Sequence, residues 1–102
     1  MKIIAITACP AGVAHTNMAA AALEMTAKKM GHQIKVEKQG AMGSENSISA
    51  KEVADANVLI LAVDTAIAKS DRFNEIPTLK VPVSEAVKNP QGLINKALEL
   101  VK

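Results

Sequence analysis

The sequence predicts an α/β fold: a four-stranded parallel sheet with helices on both faces, a Rossmann-like three-layer sandwich. Three observations carry that expectation. The runs KIIAIT and NVLILAV are continuously apolar, as strands covered on both faces must be. Segments with helical periodicity alternate with the strand-like ones, which calls for crossovers and hence parallel strands. At 102 residues the chain can bury the core of one domain, residues 1–102, without staples.

The first strand, KIIAIT, runs straight into the loop around Cys9. A helix is expected from Thr16 to Met30, with Ala19, Leu23 and Met30 on one face and Ala22 nearby. Thr16 suits an N-cap, Gly31 suits the stop, and Lys28 and Lys29 complement the dipole in the last turn. HQIKVEKQ alternates polar and apolar residues, with Ile34 and Val36 pointing one way, as in a more exposed strand. GAMGSENS reads as a loop. SAKEVADA reads as a short helix with a capping box, Ser49 as cap and Glu52 reaching back. After NVLILAV, the stretch DTAIAKSDRFNEIP reads as polar loop with one helical turn. TLKVPV makes the fourth strand, Pro82 suiting its end, and PQGLINKALELVK closes as an amphipathic helix. Its last residues fit either a natural terminus or a boundary before another domain.

Composition narrows the function. The net charge of +2 comes from 12 basic and 10 acidic residues, too balanced for a nucleic-acid footprint. Phe73 is the one aromatic residue, so base- and sugar-stacking platforms lack their usual parts. No apolar run is long enough to cross a bilayer, and the apolar start is too short for a signal peptide. A single cysteine makes neither an internal disulfide nor a Cys-rich metal site, and an unpaired thiol suits the cytoplasm.

That cysteine stands at a break in the pattern. In open parallel sheets, ligands sit beyond the carboxyl ends of strands, and Cys9 to Thr16 occupies that position after the first strand. Gly12 permits a turn that points loop amides inward, and the following helix adds its exposed N–H groups and positive dipole end. No Asp or Glu occurs before Glu24, an arrangement that leaves room for an outside anion at the helix start. The same field favours the nucleophilic thiolate at Cys9. A lone cysteine is more often a small core hydrophobe; opening a Pro-Gly loop between strand and helix argues for chemistry instead.

Several chemistries fall away. No Gly-Lys-Ser/Thr triplet is present for a Walker loop, and no second cysteine for a redox pair. A cysteine phosphatase of the low-molecular-weight type would close its loop with Arg, to grip the phosphoryl oxygens bidentately; His15 stands there instead. The loop suits carrying a phosphoryl group better than hydrolysing it. His15 either donates a hydrogen bond to phosphate or contacts a partner, or it is an ordinary polar residue near a helix start. His32 reads as a surface turn residue. Met18, Met25 and Met30 read as core filler or a soft contact surface. Arg72 and Phe73 lie in a polar loop, where they could dock a partner or pin the loop.

The segment CPAGVAHTNMAAAALEMTAKKMGHQIKVEKQG, followed by GSEN, NVLILAVD and DRF, resembles the enzyme IIB component of the bacterial sugar phosphotransferase system, fructose-specific family. The likeness covers nearly the whole chain and is most specific at Cys9, Pro10, Gly12, Ala14, His15 and Thr16. It implies that Cys9 takes a phosphoryl group from a phosphohistidine on enzyme IIA. The cradle would be Pro10, Ala11, Gly12, Val13, Ala14, His15 and Thr16. The phosphoryl group would then pass to a sugar, fructose or a related one, moving through membrane enzyme IIC. It implies no metal or cofactor, a cytoplasmic place at the inner membrane face, and a monomer or one domain of a larger chain. Asn17, Met18, Met42, Arg72 and Phe73 are candidate partner contacts. Asn17 departs from the family pattern, which often has Tyr there, and Lys38 replaces a common Thr. A regulatory module of the same fold, its phosphocysteine a signal, is the other function this sequence accommodates.

Overall fold

The computed structural model describes residues 1–10, 13–40 and 43–101, with backbone alone for Val13. In order, the described residues form β1 (Lys2–Ala8), α1 (Val13–Lys29), β2 (Gln33–Gly40), β3 (Gly43–Glu45), α2 (Ala50–Asp55), β4 (Val58–Val63), a 3-10 turn (Ser70–Phe73), β5 (Thr78–Val81), α3 (Val83–Lys88) and α4 (Pro90–Glu99). The sheet order is β3-β2-β1-β4-β5, with β1 and β4 central. Strands β2, β1, β4 and β5 run parallel, in the register Ile6↔Glu37 and Ile6↔Leu61.

The expected sheet of four parallel strands is corrected in one respect: among the described residues there are five strands, and β3 runs antiparallel to β2. Its sequence, Gly-Ser-Glu, carries no apolar alternation because all three residues are exposed, so only backbone pairing marks it as a strand. Gly43, at φ +112, supplies the left-handed backbone where the edge strand enters its pairing. Lys38, the departure noted above, sits opposite Glu45 across this hairpin, with Nζ 3.5 Å from its carboxylate.

Helices cover both faces, giving the three layers the pattern demanded. On one face Ile3, Ala5, Val36, Val58 and Ile60 pack against Ala19, Leu23 and Ala27 of α1, Val83 of α3 and Ile94 of α4. The alanines let α1 lie close to the sheet, and each fully buried Leu or Ile contributes roughly 1.5–3 kcal/mol. On the other face Ile4, Ile6, Leu59 and Val63 pack against Ile48 and Phe73, flanked by Val53 of α2.

Helix ends differ from expectation in two places. Helix α1 starts at Val13, so Thr16 is no N-cap; it is 4% exposed, one turn before the inner stripe of Ala19, Ala20 and Leu23. Its other end matches: Gly31 has φ +81, its N–H bonds the Lys28 carbonyl and that of His32 bonds Ala27, satisfying the last turn. The C-terminal segment holds two helices. Pro82 ends the strand and begins α3; then Asn89 breaks the run and caps α4, its side chain accepting from the Gly92 amide, with Pro90 next. The capping box of α2 is present as expected from Ser49 and Glu52. Lys35, 2.8 Å from Glu52, and the Ser49 amide hold that carboxyl below its ordinary range.

Candidate functional site

The site forms where two central strands end side by side. Ala8 pairs with Val63 at the carboxyl ends of β1 and β4, and the Asp64 amide donates to the Ala8 carbonyl at 3.0 Å. Cys9 therefore emerges beside Asp64. It is half-buried, its side chain packed against the α1-side core. Asp64 Oδ2 accepts from Cys9 Sγ at 3.7 Å, and His15 Nδ1, on the first turn of α1, lies 4.0 Å from the same sulfur.

Asp64 has a second task. Pro82 precedes α3 and provides no side-chain cap, so the Val83 amide opens the helix without a local partner. Asp64 Oδ1 accepts from that amide at 3.1 Å. Asp64 thus ties β4, β1 and α3 together through its amide and one carboxylate oxygen, and still presents the other oxygen to the thiol. Sequence reasoning missed Asp64. The signal was there, since it is the first polar residue after an apolar strand, where open parallel sheets place their sites.

The cradle residues divide. Ala14, His15 and Thr16 stand in the first turn of α1, where backbone N–H groups are left free and no acidic side chain intrudes. Pro10 is exposed beside Cys9. Ala11 and Gly12 lie outside the described residues, as does the side chain of Val13. Two residues before Cys9, the Thr7 side chain is fully buried, and its hydroxyl has no hydrogen-bond partner among the described residues.

The candidate partner contacts divide too. Asn17 and Met18 are exposed on α1, one turn from the site, Met18 at 52%. Met42 lies outside the described residues. Of the two readings of Arg72 and Phe73, docking a partner or pinning the loop, their contacts fit the second. Phe73 is 8% exposed in the second core because the 3-10 turn folds it under the sheet, with the Arg72 guanidinium 4.6 Å from its ring centre. Arg72 gives both Nη groups to the Glu37 carboxylate, at 2.8 and 3.0 Å. Its remaining donors meet the carbonyls of Ile48, Lys69 and Ala68. Nothing of its fork is left for a partner.

Glu37, at 1% exposure, is the other end of this clasp. It also accepts from the Ile48 amide at 2.7 Å and from Gln39 Nε2 at 2.6 Å. Burial alone would push its carboxyl up. The hydrogen bonds from Arg72, Gln39 and Ile48, with the charge of Arg72, outweigh that and hold it at about 2. Those bonds to Glu37 likewise push Arg72 above its ordinary value.

The fold and this site define an α/β protein with a half-buried thiol at the end of a central parallel strand, beside the first turn of a helix. Comparison with known proteins narrows that class. Residues 4–96 match the family model described as "PTS system, Lactose/Cellobiose specific IIB subunit". The fructose-like EIIB component 2 of Escherichia coli strain K12 is 48% identical over 95 residues, covering 93% of this chain and 90% of that one. The 2-O-α-mannosyl-D-glycerate-specific EIIABC component of the same strain is also 48% identical, over 96% of this chain, which spans only 15% of that protein. A crystal structure of a domain from the fructose-specific IIABC component of Borrelia burgdorferi superposes with a TM-score of 0.91 at 44% identity, covering 96% of this chain and 93% of that one. The chain belongs to the IIB family of the phosphotransferase system, whose members are phosphotransferase components of sugar transport. Among the described residues, no helix is long and apolar enough to cross a membrane.

Proposed function

We propose that this chain is a cytoplasmic phosphoryl carrier working at the inner face of the membrane. Cys9 attacks the phosphohistidine of a fructose-type enzyme IIA, holds the phosphoryl group on sulfur, and passes it to a sugar moving through membrane enzyme IIC. The observation that carries this reading is the half-buried Cys9 thiol at the end of β1, beside the acid-free first turn of α1, in a IIB-family chain. Amides there can stabilise charge spread over three phosphoryl oxygens in transfer. His15, whose Nδ1 lies 4.0 Å from Sγ, would donate to the same group. Exposed Asn17 and Met18 lie on the surface a donor would cover.

Fructose or a related sugar is the proposed acceptor, because several relatives carry fructose in their names. The family label mentions lactose and cellobiose and another relative a mannosylglycerate, so the sugar is read by other parts of the system. Relatives fused as EIIABC proteins support IIA and IIC as partners.

The test is an intact-mass measurement after incubation with phosphoenolpyruvate, the general phosphotransferase proteins and a fructose-type enzyme IIA. One added phosphoryl group, mapped to Cys9 and absent in Cys9→Ser, is expected. Undiminished labelling of Cys9→Ser would refute the assignment.

A further inference from the structure

We propose that Asp64 is a catalytic residue of this transfer, the group that takes the Cys9 thiol proton as the sulfur attacks. The inference rests on the phosphoryl-carrier reading of Cys9. It starts from a geometry that reading did not use: the carboxylate oxygen Oδ2 lies 3.7 Å from Sγ, the atom that must lose a proton to become nucleophilic. Among the described residues, only His15 also comes within hydrogen-bond range of that sulfur, at a longer 4.0 Å.

The position of Asp64 is fixed by contacts unrelated to the thiol. Its backbone amide is held by the Ala8 carbonyl at 3.0 Å, and its Oδ1 by the Val83 amide at 3.1 Å. With one oxygen anchored, the other is aimed at Sγ and keeps spare acceptor capacity. A carboxylate serving only to cap α3 would need neither that aim nor that neighbour.

The step balances. The donor is a phosphohistidine whose second ring nitrogen carries a proton. The Cys9 S–H bond breaks, its proton goes to Asp64 Oδ2, the S–P bond forms and the N–P bond breaks. The products are phosphocysteine, a neutral imidazole and a neutral Asp64 carboxylic acid, with the same total charge as before. Proton uptake removes the negative charge of Asp64 as the phosphoryl dianion arrives, so the two do not repel. In the onward step the acid returns its proton to the departing sulfur, and the accepting sugar hydroxyl releases its own proton to solvent.

The test is single-turnover transfer of labelled phosphoryl from a phosphorylated fructose-type enzyme IIA to the full chain, with Asp64→Asn, Asp64→Ala and Cys9→Ser beside it. Asn can still accept from the Val83 amide but cannot take a proton at neutral pH. Asp64→Asn is expected to melt like the parent and to transfer about 100-fold more slowly or worse. Formate, a free carboxylate, is expected to restore part of the rate in Asp64→Ala. A rate for Asp64→Asn equal to or above that of the parent overturns the inference: equal means a cap only, and faster means a carboxylate acting by repulsion. Either result, with the parent labelled on Cys9, leaves the carrier reading standing. A parent chain that takes no label removes both.

Discussion

Two carboxylates, Glu37 within β2 and Asp64 just past β4, lie on either side of β1, and they live in opposite conditions. Glu37 is buried, with both oxygens occupied by Arg72, Gln39 and the Ile48 amide. Asp64 is exposed, with one oxygen on the Val83 amide and the other on the Cys9 thiol. Where polar groups hold structure, the chain saturates them; where they do chemistry, it leaves acceptor capacity free. The clasp also serves the site, because Arg72 and Gln39 bind the Ala68 backbone and so fix the loop that leaves Asp64.

The sharpest way to break the comparison is to remove one partner on the buried side. Arg72→Ala leaves the Glu37 charge in the core and strips donors from three carbonyls. A loss of about 3–5 kcal/mol is expected in urea unfolding, a large share of the ~5–15 kcal/mol a domain of this kind has. The matching change on the open side, Asp64→Asn, keeps the acceptor for Val83 and should move stability by less than about 1 kcal/mol. Similar losses for both would erase the distinction.

Acid tests the same clasp without mutation. The Glu37 carboxyl sits at about 2 in the folded chain against an ordinary value of 4.5, so folding favours its ionised form. Its contribution is therefore complete above pH 4.5 and is lost as pH falls towards 2. The difference corresponds to about 3 kcal/mol. Unfolding free energy measured between pH 6 and pH 2 is expected to fall by roughly that amount beyond the fall seen in Glu37→Gln. Parallel curves would show that the clasp does not titrate with folding.

This division explains what was legible in the sequence. Continuous apolar runs revealed β1 and β4, Gly31 revealed the last turn of α1 and the capping box the start of α2, because burial and capping leave local marks. Cys9 was legible because it broke such a pattern. The edge strand β3 was not, since an exposed Gly-Ser-Glu pairs only through its backbone. Helix α3 was missed because Val83 continues the apolar alternation of TLKVPV and its six residues are too few to show a helical period. Arg72 and Phe73 of DRF, read as docking groups or a loop pin, meet Glu37 and Gln39 of VEKQG in the clasp. That meeting is 35 residues apart in the chain, and no local spacing encodes it. Asp64 did carry a local mark as the first polar residue after β4, but its meeting with Cys9 comes from register across two strands.

The smallest effect concerns Thr7, which belongs to neither region by its bonds. Its side chain is fully buried between Lys38 and Ala62 in the register, and its hydroxyl is unpartnered among the described residues. A buried hydroxyl without a partner carries a desolvation cost, and valine keeps the shape while removing that group. Thr7→Val is therefore expected to raise stability by about 1 kcal/mol in urea unfolding and to leave phosphoryl transfer to Cys9 unchanged. A loss of stability would show that the hydroxyl is satisfied in solution. A gain in stability paired with slower transfer would instead move Thr7 into the chemical region, as a second group near Cys9 left unsaturated so that it can act.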